Sequence, residues 1–267
     1  MGKYSISPEA VVGKNNTFGD GVKIGPGAVI GDNNIFQDGV IIEGHAEIGN
    51  GNYFGHHVLI GALPENSRHK FEFREIDPGE AALHKVVIGN RNVIREFTSV
   101  NLPTEAETRI NNDVYVMQHC AVAHDVLLED NVILSNHCSP GGYAKVLKGA
   151  NLGKGVQTHQ RNVIGQYAML GVGAVVVRNV LPGVTAVGNP AKMLSTNTVG
   201  LERAGFDADE VQQMVKLLAT EAGSVVDTSS LSTRVTAMYQ HFYDIVSEAR
   251  DNRSVPQVEW PIQERAG

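Results

Sequence analysis

Large apolar residues recur at every sixth position through the N-terminal part of the chain: Ile6, Val12, Phe18, Ile24, Ile30, Phe36, Ile42, Ile48, Phe54 and Ile60. Glycine follows most of them, at Gly13, Gly19, Gly25, Gly31, Gly49, Gly55 and Gly61. Four residues after each apolar position sits a smaller one, in the order Ala10, Asn16, Val22, then Ala28, Asn34, Val40, then Ala46, Asn52, Val58, so the pattern closes every 18 residues. A period of six nested in 18 is not the 3.6-residue repeat of an amphipathic helix. It predicts three short parallel strands per turn, wound as a triangular prism whose turns stack at the strand spacing of about 4.8 Å. Residues 18 apart stand in columns, with the large and the small member of each hexad facing inward. Asn16, Asn34 and Asn52 then form an interior ladder, each placed to bond its copies, while glycine permits corner conformations that a Cβ strains.

The beat fails twice. Residues 61–87, GALPENSRHKFEFREIDPGEAALHKVV, read as a long loop ejected from the prism, with hexads resuming at Ile88, Ile94 and Val100. A shorter break falls near 103–109. From Ile110 the beat runs through Val116, Val122, Leu128, Leu134, Val146, Leu152, Ile164, Leu170 and Val176, violated only by Pro140 and Thr158, which share a column. Long loops and local rule-breaking tend to mark sites. Beyond residue 195, FDADEVQQMVKLLATEAG opens with a capping-box pair, Asp207 and Glu210, and keeps helical spacing at Val211, Met214, Leu217 and Leu218. LSTRVTAMYQHFYDIVSEAR reads as a second helix. The expected division is a hexapeptide-repeat prism over 1–195 and a helical tail over 196–267 that covers its open end.

Composition narrows the function. The chain carries 29 glycines, 6% aromatic residues and a formal net charge of -7, which argues against a general nucleic-acid binder. No run of 18 apolar residues predicts a transmembrane helix, and MGKYSISPEAVVGKNN lacks the apolar core of a signal peptide, so a cytoplasmic protein is expected. Between Asp130 and Glu202 no acidic residue occurs, while Lys145, Lys148, Lys154, Arg161, Arg178 and Lys192 do. That stretch is either a docking surface for an anionic partner or a chance cluster of solvated cations.

Two histidines stand in the strand-like segment MQHCAVAHDVLLED. The column rule stacks His119 on His137, both pointing outward, and places Cys120 and Cys138 inward as core fillers. His124 points outward above Gly142 and Gln160, next to His159. Asp125 follows it directly, and a carboxylate there fixes an imidazole's tautomer and raises its basicity. These residues suit acyl transfer: His124 as general base for an acceptor hydroxyl, and the Gly142 N–H as a donor to a thioester oxyanion. The bland alternative is a surface histidine on a coil. A zinc site remains a third reading, because His119 and His124 have the spacing seen in γ-class carbonic anhydrases, which share the prism.

Together the hexads, the ejected loop, AHD at 123–125, HQ at 159–160, GNPAK at 188–192 and GLERAGF at 200–206 resemble the UDP-N-acetylglucosamine O-acyltransferases of lipid A synthesis, the LpxA type. The resemblance covers nearly the whole chain. It implies an all-β left-handed parallel β-helix with a C-terminal α-helical tail, assembled as a cytoplasmic homotrimer with sites between neighbouring prisms. It implies transfer of an acyl or 3-hydroxyacyl chain from acyl carrier protein to the sugar 3-position, with no metal or cofactor beyond that thioester. His124 matches the base, Asp125 its partner and Gly142 the oxyanion donor, while His159, Gln160, Asn197 and Arg203 match nucleotide-sugar contacts. His119 and Tyr143 stand nearest to two further family histidines. Arg161, Arg178, Asn189 and Lys192 are the expected donor-docking residues, and Val172 occupies the acyl-chain ruler position. The chain departs from the family at Ala121, Tyr143, Val199 and Ala204, and in the loop, where Asn66, Arg68 and Lys70 replace the sugar-binding pattern. The acceptor is therefore open to another nucleotide sugar or an amino analogue. Against this reading stand a coenzyme A-dependent acetyltransferase, since GNPAK is common among them, and a non-catalytic trimeric scaffold.

Overall fold

A computed structural model describes residues 3–65, 84–105, 107–219 and 230–251. The hexads are mostly two-residue strands, and each pairs in parallel with the strand one turn on: Ile6 with Ile24, Val12 with Ile30, Phe18 with Phe36. Sheets of six, eight and ten strands, with a further sheet of three, form the faces of a left-handed parallel β-helix of about nine turns. The inward column is closed: Ile24, Ile30, Phe36, Ile42, Ile48, Phe54 and Ile60 are all buried. Phe18, Phe36 and Phe54 stack with ring centroids 5.2 and 4.9 Å apart.

The asparagine ladder forms, but its bonds run mainly to backbone. Asn16 Oδ1 accepts from Asn34 N at 2.8 Å, and Asn34 Oδ1 from Asn52 N at 2.9 Å. Each amide donates to a carbonyl of the next turn, as Asn34 does to Gly49 O at 3.0 Å. The ladder continues beyond the first break into Asn92, whose N–H donates to Asn52 Oδ1 at 2.8 Å. Glycine after the apolar position also has a different reason from the one expected. Gly31 has an ordinary backbone, yet a Cβ there would lie 2.7 Å from Gly49 O, so close approach of the turns excludes a side chain. The left-handed corners fall elsewhere, on residues such as Asn33, His119, Asp125 and Tyr143.

Both predicted breaks are present and both are shorter in the prism than the pattern suggests. The strand Leu59–Ala62 runs into the first, and Lys85–Ile88 resumes ahead of Ile88, in register with Ala46 to Ile48. The second lies between Ser99–Asn101 and Glu107–Ile110. Pro140 and Thr158 do point inward. Pro140 has no N–H to donate to the strand before it, so the face carrying Ala121–Val122 ends there and a separate sheet starts at Ser139–Pro140.

The tail contains α1 (Thr198–Arg203), α2 (Ala208–Ala219) and α3 (Thr233–Asp251). Asp207 and Glu210 make the reciprocal capping box, at 2.8 and 3.1 Å. The short α1 is not foreseen by the hydrophobic pattern. Leu201, Met214 and Tyr239 build a second core over the last turn, where Tyr239 donates to Pro182 O. The tail does more than cover an end: α3 runs down one face, inserting Phe242 and Val246 into the main core and pairing His241 with Glu129 at 2.8 Å.

Replacing Asn52 with alanine leaves Asn92 N and Gly89 O unpaired in the interior. It is expected to cost about 1–3 kcal/mol in urea unfolding. Asn16→Ala, at the half-exposed end of the ladder, is expected to cost less, and equal losses would refute burial as the source.

Candidate active site

The second break brings residues 103–105 against the corner that carries His124. His124 points away from the prism interior as the hexad rule requires, yet it is only 7% exposed. The surface-histidine reading is thus overturned: the burial comes from Thr104 and Tyr143, which flank the ring. His124 Nδ1 lies 2.9 Å from Asp125 Oδ2. A carboxylate can only accept, so Nδ1 carries the proton, and in the neutral imidazole the lone pair is then on Nε2. Asp125 accepts further bonds from Thr104 N and Oγ1, both 2.8 Å, and from Glu105 N at 3.0 Å. Its own N–H donates to Thr108 Oγ1 at 2.9 Å.

On the other side the ring packs against Gly142. A Cβ at Gly142 would stand 2.6 Å from both Cε1 and Nε2 of His124, so only glycine leaves room for the imidazole. Gly141 N donates to Thr158 Oγ1 and Tyr143 N to His124 O, whereas Gly142 N has no hydrogen-bond partner among the described residues. His124 Nε2 and the unpartnered Gly142 backbone thus lie side by side. Asp125, Tyr143 and Arg161 form one left-handed corner column, with φ of 58°, 61° and 64°. The Arg161 guanidinium lies over the Tyr143 ring, 3.8 Å from its centroid. Burial, with Glu105 and Asp125 nearby, raises the Tyr143 phenol above its ordinary pKa, so it keeps its proton near neutrality. Glu105, Asp125, Tyr143 and Arg161 border a cleft of about 360 Å³, completed by Glu107, Arg109, Lys145 and Glu248.

No family model matches the chain. It is 36% identical over 155 residues to the acyl-[acyl-carrier-protein]–UDP-N-acetylglucosamine O-acyltransferase of Janthinobacterium sp. (strain Marseille), covering 57% of this chain and 55% of that one. The protein of the same name from Thiobacillus denitrificans is 31% identical over 179 residues, covering 65% and 66%. LpxA from Bacteroides fragilis 9343 superposes with a TM-score of 0.78 at 28% identity, over 95% of this chain and 98% of that one. The chain is similar to LpxA-type enzymes in sequence over the aligned segment and in fold over nearly its whole length. LpxA from Acinetobacter baumannii, with the same TM-score at 22% identity, repeats the fold. In the sequence alignments the chain spans about half the length of the curated relatives it matches first.

The remaining expected site residues are dispersed. His159 and Gln160 are exposed beside Arg161, with His159 Nδ1 3.1 Å from Gln160 O. Asn197 spends its amide on the fold, donating to Tyr167 O at 2.8 Å and accepting from Gly200 N at 3.2 Å as the cap of α1. Arg203, Arg178, Asn189 and Lys192 are exposed, and Val172 is 77% exposed. Asn66, Arg68 and Lys70 lie outside the described residues. His119 belongs to a different column, stacked on Phe97 and on His137 at 5.0 and 5.1 Å, as the column rule predicts for the histidine pair. Among the described residues no three His, Cys, Asp or Glu side chains converge as metal ligands. Cys120 and Cys138 are buried core fillers, as expected. The acid-free basic stretch does not stay acid-free in space: Glu248 of α3 lies 3.9 Å from Lys145, and Glu129 accepts from Lys148 N. No helix among the described residues is long and apolar enough to cross a membrane. Thr104 and Thr108 were not legible as site residues; the only signal for them was the failure of the beat at 103–109.

Gly142→Ala is expected to destabilise the protein by about 1–3 kcal/mol through crowding of the imidazole. In the His124→Ala background most of that cost disappears, a coupling that a double-mutant cycle in urea measures. Additive effects would show that the two residues do not share space.

Proposed function

We propose that the chain is an acyltransferase that moves an acyl or 3-hydroxyacyl chain from acyl carrier protein to the 3-position of a UDP-amino sugar. UDP-N-acetylglucosamine or an analogue is the acceptor, early lipid A synthesis the setting, and the cytoplasm the compartment. The names of the relatives support the substrates. The observation that carries the reading is the buried His124–Asp125 pair beside the unpartnered Gly142 N–H. His124 Nε2 takes the proton of the sugar hydroxyl, whose oxygen attacks the thioester carbonyl. The Gly142 N–H receives the oxyanion. As the intermediate collapses, the C–S bond breaks, the new C–O bond remains, and the imidazolium returns its proton to the leaving thiolate. No cofactor takes part in these steps.

His159, Gln160, Asn197 and Arg203, with His119 and Tyr143, are assigned to the sugar side on the family resemblance, as are the loop residues Asn66, Arg68 and Lys70. Of these, Asn197 offers least, since both ends of its amide are engaged. Arg178, Asn189 and Lys192 supply exposed positions for docking an acidic carrier, and Arg161 the cleft wall. A homotrimer accounts for Val11 and Val29, which are 62% and 45% exposed in adjacent strands of one face. At the ruler position Val172 is larger than the small residue of the family and shortens the groove, so short acyl chains are preferred.

His124→Ala is expected to lower the transfer rate by about 10²–10⁴-fold at unchanged UDP-sugar affinity. Quenched-flow assays with a panel of acyl carrier protein thioesters measure it. Full activity in the mutant rules out His124 as the base. In the same panel Val172→Gly is expected to move the optimum to longer chains, and an unmoved optimum removes Val172 from the ruler.

A further inference from the structure

Thr104 sits in the segment where the prism loses its beat, and the site takes up most of its polar atoms. Its N–H and its hydroxyl both donate to Asp125 Oδ2 at 2.8 Å, the atom that also receives His124 Nδ1. The same hydroxyl is 2.7 Å from the Tyr143 hydroxyl. Its direction follows from the chemistry of its neighbours. The carboxylate accepts only, so the Thr104 proton goes to Asp125, which leaves the Thr104 oxygen to accept from the Tyr143 hydroxyl, for whose single proton the Glu105 carboxylate competes. The result is a directed chain from Tyr143 through Thr104 to Asp125, ending opposite the imidazole.

Tyr143 is built to hold its end of that chain. It stands at a left-handed corner, φ 61°, a position that glycine fills at Gly149 and Gly155. A side chain at such a corner costs about 1–2 kcal/mol. The ring is clamped by Arg161 on one face and meets His124 edge-on at 5.0 Å. Its hydroxyl meets Thr104 and the Glu105 carboxylate at the wall of the cleft.

Resting on the reading of His124 as base, we infer that Thr104 is a positioning residue that sets the basicity and tautomer of His124 through Asp125, and that the Tyr143 hydroxyl supports Thr104 in that role. Each donor to Asp125 disperses the charge that otherwise stabilises imidazolium. Removing the Thr104 hydroxyl therefore raises the pKa of His124 and loosens the orientation of Asp125. The charged groups around the imidazole are Asp125 in contact and Glu105 and Arg161 beyond Tyr143, all unchanged in the variants below.

The test compares Thr104→Val, Thr104→Ser and Tyr143→Phe with the wild type. Two readouts are taken: the pH profile of kcat/KM, and the titration of the His124 imidazole by nitrogen-15 NMR on the full chain. In Thr104→Val the acid limb and the imidazole titration are both expected to move to higher pH by about half a unit or more. kcat is expected to fall about tenfold, well short of the effect of removing the base, with the sugar KM unchanged. Thr104→Ser restores the wild-type values. Tyr143→Phe keeps the Thr104 hydroxyl and shifts both readouts in the same direction by less, because it removes only the donor that polarises it. It also decides the matter should Thr104→Val fail to fold. Unmoved titrations in Thr104→Val, or Thr104→Ser matching Thr104→Val, overturn the inference. If the wild type transfers no acyl chain, the base reading fails alone, and the NMR titration still decides the role of Thr104.

Discussion

Every turn of the prism must satisfy its backbone hydrogen bonds with the turn above and the turn below, because each strand is too short to stand on any other interaction. That requirement holds corresponding residues in columns. Ser5 pairs with Lys23, Ile41 with Leu59, and Leu59 with Ser99 across the first break in the repeat. A slip of one residue would turn the apolar column outward and the polar one in. The buried asparagines strengthen the same constraint, since Asn34, Asn52 and Asn92 each take a backbone N–H of the next turn on a side-chain oxygen. Close stacking also explains why glycine recurs where the φ angle does not demand it.

The site exists where this constraint is relaxed. Extra residues between Ser99–Asn101 and Glu107–Ile110 leave the ladder and deliver Thr104 to Asp125. Pro140 withholds a donor from the neighbouring face, and Thr158 offers its hydroxyl to Gly141 N at 3.2 Å. Gly142 then packs against His124, with no partner for its own N–H among the described residues. Two irregularities in an otherwise repetitive backbone thus produce a buried imidazole with one nitrogen committed and one free. The regular turns on either side hold that geometry rigidly, which a loop-borne site would not.

The helical tail changes the electrostatics of the face it covers. Along the chain, cations and acids are segregated. In the fold, α3 returns Glu248 to Lys145 and ties His241 to Glu129, so the cleft carries mixed charge. Linear charge alone therefore overstates how basic this face is.

The sequence by itself determined the prism, its columns and the inward set. It stacked His119 on His137, placed Gly142 under His124, and located both breaks, because a strict period converts sequence separation directly into spatial adjacency. It also carried the capping box of Asp207 and Glu210 and the helix over Thr233–Asp251. Only the tertiary structure decided that His124 is buried, that Thr104 holds Asp125, that Asn197 is consumed as a helix cap, and that α3 descends along a face. Each of these contacts joins a segment that has left the repeat to one that has not. No period relates such segments, so their meeting is set by packing in three dimensions alone.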